Sequence, residues 1–199
     1  MSVTHARTRR RADAGFVLDV RSLGRRPGTM KEVRRAVAAP SRIGPDLIAI
    51  PAGGEIDLDL RLEAVSEGVL VTGTIRADVV GECARCLESF DDSLEVPITE
   101  LFAYPDSATE QTTEEGEVYR VVDEHVDLEP AVVDLVVLDL PLQPLCSEDC
   151  AGLCAECGVR LAIAGTEHRH EILDPRWAGL AAKFGEITHD EPDAPEEEK

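Results

Sequence analysis

Large aromatic side chains are scarce here: four Phe, two Tyr and one Trp in 199 residues. A core made from this chain must rest on Val, Leu, Ile and Ala, which bury less area apiece and gain more from an added staple. The same scarcity argues against a base-stacking platform for nucleic acid. No apolar run reaches the length of about eighteen residues that a membrane helix needs. Residues 1–11 are basic but lead into no signal-peptide apolar region or small-residue cleavage site, so a cytoplasmic location is expected. Catalytic signatures are missing as well: there is no G-x-S-x-G, no glycine loop for phosphate and no H-E-x-x-H. Acidic pairs such as Asp91-Asp92 and Glu114-Glu115 lie in polar stretches and read as solvated charge. Neither an enzyme activity nor a small-molecule substrate is expected.

Positive charge is in short supply, except at one end. Residues 1–35 carry ten Lys or Arg against three Asp or Glu, a balance of +7. The remainder carries ten against thirty-seven, −27, for a total of −20. Such a body repels phosphate backbones, because nucleic-acid affinity is built on cations that neutralise phosphates. It suits a basic partner, and the +7 end is the only stretch fitted to touch RNA.

What the chain does have is thiols in pairs. Cys83 and Cys86 form one C-x2-C. Sixty residues after Cys86 the pattern C-x3-C-x3-C-x2-C begins, with Cys146, Cys150, Cys154 and Cys157, followed by His168-Arg169-His170. A C-x2-C turn aims two thiolates at one ion from a single tight loop. Six cysteines and these two histidines supply eight ligands, enough for two four-coordinate zinc sites with nothing left over. In a reducing compartment clustered cysteines favour metal over disulfides. A thioredoxin-like redox pair would need a βαβ context that is absent. Two partitions satisfy the count. One joins Cys83 and Cys86 to Cys146 and Cys150, and Cys154 and Cys157 to His168 and His170. The other keeps the four later cysteines together and gives the first pair to the histidines. Spacing leans to the first. His5, His125 and His189 are isolated and read as surface residues.

Periodicity supplies the frame. Residues 16–20 read as a short strand, and residues 21–35 as a basic loop leading into a short helix or turn that Thr29 can cap. Residues 47–50 give another brief strand. Ile56, Leu58, Leu60, Leu62 and Ala64 alternate with polar residues, Ser66-Glu67-Gly68 turns the chain, and Val69, Val71, Ile75, Ala77 and Val79 alternate back: a long hairpin. Leu94, Val96 and Ile98 make the next strand, which places the first cysteine pair at a strand-to-strand turn. Residues 106–117 read as a solvated loop and residues 118–122 as an edge strand. From Leu128 the period becomes helical, with Asp127 capping, Pro130 in the first turn, and Pro141 and Pro144 ending it; the β-branched content keeps a strand open. Asp174-Pro175 opens a last helix with Trp177, Leu180, Ala181 and Phe184 on one face. The expected class is α+β: an antiparallel sheet with a central helix, a zinc-knuckle segment and a short final helix. The expected organisation is a disordered basic arm (1–13), a core domain (14–145), a cysteine-rich segment with the last helix (146–185) and a disordered acidic tail (186–199).

Gly24-Arg25-Arg26-Pro27-Gly28, Glu82-Cys83-Ala84-Arg85-Cys86-Leu87 and the run from Leu140 through Cys146, Cys150, Cys154 and Cys157 to Gly158 closely resemble the YceD family, as does Asp174-Pro175-Arg176. That family comprises bacterial proteins associated with accumulation of 23S ribosomal RNA, often encoded beside ribosomal protein L32. The resemblance carries the family's C-x-R-C onto Cys83, Arg85 and Cys86, and its longer motif onto Cys146, Cys150, Cys154 and Cys157. Many relatives continue with Asn-Leu-Asn and a C-x-C pair, where this chain has Arg160-Leu161-Ala162 and His168-Arg169-His170. Histidine replaces cysteine at zinc, which implies a kept site with altered ligands. The resemblance implies a non-catalytic factor in large-subunit assembly, meeting a basic ribosomal protein such as L32 or a pre-50S particle, with residues 1–35 available to ribosomal RNA. The alternative is a zinc-thiolate redox sensor or redox-regulated chaperone.

Overall fold

In the computed structural model, residues 15–114, 117–165 and 167–170 are described. The expected basic arm, the acidic tail and the helix after Asp174 lie outside them. The chain divides into two compact units, Met1–Gly152 and Leu153–Lys199.

In the first unit the alternating runs form the strands they foretell. β1 is Val17–Asp19, β2 Met30–Ala38, β3 Ile48–Ala49, β4 Glu55–Val65, β5 Gly68–Glu82, β6 Ser89–Ala103, β7 Tyr119–Arg120 and β8 His125–Asp127. β4 and β5 are the long hairpin, paired from Ile56↔Ala77 to Val65↔Gly68, and β5 pairs β6 along its whole length. The main sheet runs β2-β4-β5-β6-β7, with β3 added to the far end of β5; β1 and β8 make a separate two-stranded ribbon. β7 is a short edge strand parallel to β6, as residues 118–122 suggested. Strict alternation buries Ile56, Leu58, Leu60 and Leu62 and leaves Glu55, Asp57, Asp59 and Arg61 in water, so one sheet face builds the core and the other stays wet.

Gly73 marks the crowded centre of the hairpin. Its φ is +151°, and a Cβ there would stand 2.1 Å from the Asp59 carbonyl oxygen. No side chain fits.

The longer helix of the first unit covers the core face. Glu129–Asp139 is helical, numbered α2 here. Asp127 serves its N-terminus, its Oδ1 accepting from the Glu129 N–H at 3.1 Å, although Leu128 holds the capping position itself. Ala131, Val132 and Val136 are buried, packing with Phe16, Phe102 and Leu128 into one cluster. Residues 137–139 stay exposed, and Leu140 adopts extended backbone ahead of Pro141. The strand alternative for this segment falls away.

Two expectations fail. The short helix or turn expected near residues 29–35 is a strand: the Thr29 carbonyl accepts from the Ala64 N–H at 2.9 Å, and Met30–Ala38 then pairs with β4 along nine residues. Weak helical preference loses to a ready-made ladder, and Lys31, Arg34 and Arg35 suit an exposed edge. The loop at 106–117 contains a one-turn helix, α1, Ala108–Thr112. Capping rather than apolar period makes it: Ser107 Oγ accepts from the Glu110 N–H at 3.1 Å, and Glu67 Oε2 accepts from the Thr109 N–H at 3.0 Å. Among the described residues no helix is long and apolar enough to cross a membrane.

Ile75 is fully buried on the core face. Ile75→Ala in metal-loaded protein should cost about 2–5 kcal/mol in urea unfolding, and Gly73→Ala should be at least as damaging. Losses below about 0.5 kcal/mol for both would deny the hairpin its central place.

Candidate metal centre

The first cysteine pair sits where β5 turns into β6. The Cys83 N–H donates to the Glu88 carbonyl at 2.8 Å and the Leu87 N–H donates back to the Cys83 carbonyl at 2.9 Å, closing a small ring of backbone. That ring requires Leu87 at φ +60°, in the left-handed region where a side chain costs energy. Two further contacts bring in the segment after α2. The Ala84 N–H donates to the Pro144 carbonyl at 2.8 Å, and Arg85 Nη1 donates to the Cys150 carbonyl at 3.1 Å. Gly152, at φ +75°, lets the chain pass close; a Cβ there would lie 3.2 Å from the Arg85 carbonyl oxygen.

These bonds gather four sulfurs. Cys83 Sγ stands 3.7 Å from Cys150 Sγ, Cys86 Sγ stands 3.7 Å from Cys146 Sγ, and all four lie within 4.8 Å of one another. A tetrahedral ion with metal–sulfur bonds of about 2.3 Å sets S···S edges near 3.8 Å, so the spacing fits. All six cysteines are free thiols. Cys83 is buried, Cys86 and Cys150 are half-buried and Cys146 is exposed.

Electrostatics favour a cation at the centre. The backbone N–H of Cys146, helped by those of Cys86 and Arg85, holds the Cys83 thiol down at about 6 despite its burial. The crowding sulfurs of Cys86, Cys150 and Cys83 push the Cys146 thiol up to about 12. One thiolate is welcome and the next is repelled, a conflict that a divalent ion removes.

The second unit repeats the device. The Cys154 N–H donates to the Val159 carbonyl and the Gly158 N–H donates back to the Cys154 carbonyl, both at 2.8 Å, with Gly158 at φ +71°. The ring has the same spacing as at Cys83. A short helix, α3, Leu161–Ala164, ends at Gly165 with φ +79°, and the His168 N–H donates to the Gly165 carbonyl at 3.3 Å. Cys157 Sγ lies 3.4 Å from His168 Nε2, and the two histidine Nε2 atoms are 2.9 Å apart. Cys154, Cys157, His168 and His170 present ligand atoms within 4.8 Å of one another. Tetrahedral S···N and N···N edges are near 3.6 and 3.3 Å, so this set also matches one ion. The N–H groups of Cys157 and Glu156 lower the Cys154 thiol.

The structure therefore groups the eight residues by the first of the two partitions. His125 is half-buried in β8, with Nδ1 2.6 Å from the Asp123 carbonyl. His5 and His189 lie outside the described residues. Sequence reasoning missed the left-handed position that follows each C-x2-C. Aligning Cys83–Leu87 with Cys154–Gly158 would have exposed it, because glycine occupies the second copy. The basic stretch is partly spent on internal pairs. Arg21 pairs with Asp19, Arg34 lies 3.2 Å from Asp59, Arg25 stacks 4.7 Å over the Tyr104 ring and Arg35 donates to the Gly15 carbonyl.

Comparison with known proteins comes down to one family. A family model described as "Large ribosomal RNA subunit accumulation protein YceD" matches residues 71–182. An uncharacterized protein of Mycobacterium tuberculosis is 55% identical over 186 residues, covering 93% of this chain and 89% of its own. Another, from Mycobacterium leprae, is 47% identical over 173 residues, covering 87% and 79%. The uncharacterized protein YlbN of Bacillus subtilis is 27% identical over 121 residues, covering 60% and 69%. No solved structure matches.

Leu87 is 57% exposed, so its side chain returns little for the backbone it strains. Leu87→Gly should stabilise the metal-loaded protein by about 1 kcal/mol in thermal or urea unfolding. A destabilised Leu87→Gly variant would show that the ring is unstrained. In metal-free protein, ultraviolet titration of thiolate absorbance should find one thiolate of the Cys83 cluster forming near pH 6 and another absent until about pH 12. Four thiols ionising together near 9 would remove the electrostatic case for a cation.

Proposed function

The chain belongs to the YceD family, and on that premise we propose that it is a non-catalytic ribosome-biogenesis factor. It supports accumulation of large-subunit (23S) ribosomal RNA and is held together by two structural zinc ions. The observation that carries the reading is the pair of four-ligand sets, each complete in itself. Cys83, Cys86, Cys146 and Cys150 would hold one ion; Cys154, Cys157, His168 and His170 would hold the other. Four protein ligands leave no coordination position for an activated water, which is the arrangement of structural rather than hydrolytic zinc. When bound, zinc supplies charge compensation for the crowded thiolates and a crosslink between chain segments.

The partner is a basic ribosomal protein, with L32 among the candidates, or a pre-50S particle in the cytoplasm. Support comes from charge: the −27 body attracts cations and repels RNA, while residues 1–35, at +7, are offered to ribosomal RNA. Association with a basic protein should then be fast and should weaken with salt. A second reading, redox sensing, draws on the 3.7 Å approaches of Cys83 to Cys150 and of Cys86 to Cys146. Mild peroxide that reversibly expels zinc and raises partner binding would favour it.

Elemental analysis of purified protein should return two zinc ions per chain, and His168→Ala with His170→Ala should return one. Apparent binding of structural zinc is worth on the order of 10–16 kcal/mol, beyond typical net domain stability, so Cys83→Ser should impair folding as a whole. Cells lacking the protein should hold less 23S RNA, restored by the wild-type chain and not by Cys83→Ser. Unchanged 23S RNA levels in the deletion strain would end the ribosomal reading. Protein equally stable after chelation would end the structural-metal reading.

A further inference from the structure

We propose that the groove between β6 and the segment following α2 docks an extended basic segment of a partner protein, with an apolar side chain set between its Lys or Arg residues. The proposal deepens the ribosome-associated reading by naming the surface and the chemistry it selects. The groove has a volume of about 210 Å3. Val79, Phe90 and Leu94 line it from the sheet, and Leu140, Pro144 and Leu145 from the opposite wall. That volume is below the 300–1,000 Å3, roughly, of small-molecule pockets, and it suits an anchoring side chain better than a whole ligand. The Ala84 N–H bond to the Pro144 carbonyl holds the far wall in place, and Leu145 directly precedes Cys146. The first ligand set and the groove thus share one segment.

Charge selects the occupant. Asp92 and Asp139 stand at the groove, while Asp78 and Asp91, which alternate onto the opposite face of β5 and β6, line a shallower hollow across the sheet. None of the four has a cationic partner among the described residues, whereas Glu95, Asp59 and Glu63 on the same sheet pair with Arg76, Arg34 and Arg61. Acids left unpaired around apolar walls complement a cationic chain and repel nucleic acid. The same region holds apolar side chains with no internal role: Leu138 is 83% exposed and Leu142 79%. Backbone geometry favours an extended guest. Away from β5, only Phe102 and Ala103 of β6 pair with another strand, so among the described residues the outer edge of residues 89–101 has no strand partner.

The test uses metal-loaded full-length protein and fluorescence anisotropy with a labelled peptide of alternating Lys and Leu. Asp92→Lys with Asp139→Lys should weaken binding at least tenfold. Leu145→Ser, which strips an apolar side chain from the groove wall, should do the same. Glu55→Lys with Asp57→Lys, an equal charge change on the wet face of β4, should alter it less than twofold. Serine in place of leucine in the peptide should also cost tenfold. No peptide binding, or equal losses from the two charge pairs, overturns the groove; if Leu145→Ser misfolds, the charge pairs decide alone. A parallel capture of proteins stripped from purified large ribosomal subunits separates the two readings. Capture unaffected by the groove variants overturns the groove and leaves the ribosomal reading standing. Groove-dependent peptide binding without any capture supports the groove and overturns the ribosomal partner.

Discussion

Convergence of four sulfurs from two distant stretches is the constraint on which the first unit depends. Cys83 and Cys86 end one strand and precede the next; Cys146 and Cys150 follow the helix, sixty residues after the first pair. The core beneath is built mostly of medium-sized side chains, with Phe16 and Phe102 the only fully buried aromatics among the described residues. A link across such a span removes much freedom from the unfolded chain, whatever the chemistry of the link. The backbone prepares for it. Arg85, which contributes no sulfur, bonds to the Cys150 carbonyl, and Ala84 bonds to the Pro144 carbonyl, so the two stretches meet through hydrogen bonds as well as through the gathered sulfurs.

The two knuckles are the same local solution on different supports. Each closes a ring from the first cysteine's N–H to the carbonyl five residues on, and each needs positive φ four residues on. In the second, glycine meets the need at no cost. In the first, Leu87 meets it under strain while its side chain stays exposed. The ligands differ too. One set is all sulfur and ties strand turn to helix exit, while the other mixes sulfur and imidazole within a span of seventeen residues. A mixed set carries less negative charge around its ion than four thiolates do.

Charge and shape belong together in the first unit. The wet face of the sheet neutralises much of its own charge through Arg76–Glu95, Arg34–Asp59 and Arg61–Glu63, each pair weak because it is exposed. Around the groove by β6 the acids stand without such partners among the described residues, and apolar residues of the helix exit, Leu138 and Leu142, are exposed. On the proposal made above, that contrast would separate charge that only keeps a protein in solution from charge placed to be met by another molecule.

Much of this was legible in the residues themselves. Two-residue alternation from Ile56 to Val79 could only be a half-buried hairpin, because side chains on a strand take opposite faces in turn. Cysteine and histidine spacing singled out the eight candidate ligands, since chemistry and reach are local properties, and the structure gathers them into two sets of four. Where local preference was weak, tertiary pairing decided: residues 30–38 became a strand because β4 offered an open edge, and Ala108–Thr112 became a helical turn because Ser107 and Glu67 caught its free N–H groups. The grouping of the eight candidate ligands into two sets was likewise beyond spacing alone. It follows from where the helix ends relative to the β5–β6 turn, a distance in space that no interval along the chain encodes. The groove is legible only in three dimensions for the same reason: Val79, Phe90 and Leu145 become neighbours when sheet pairing and the helix exit have set their positions.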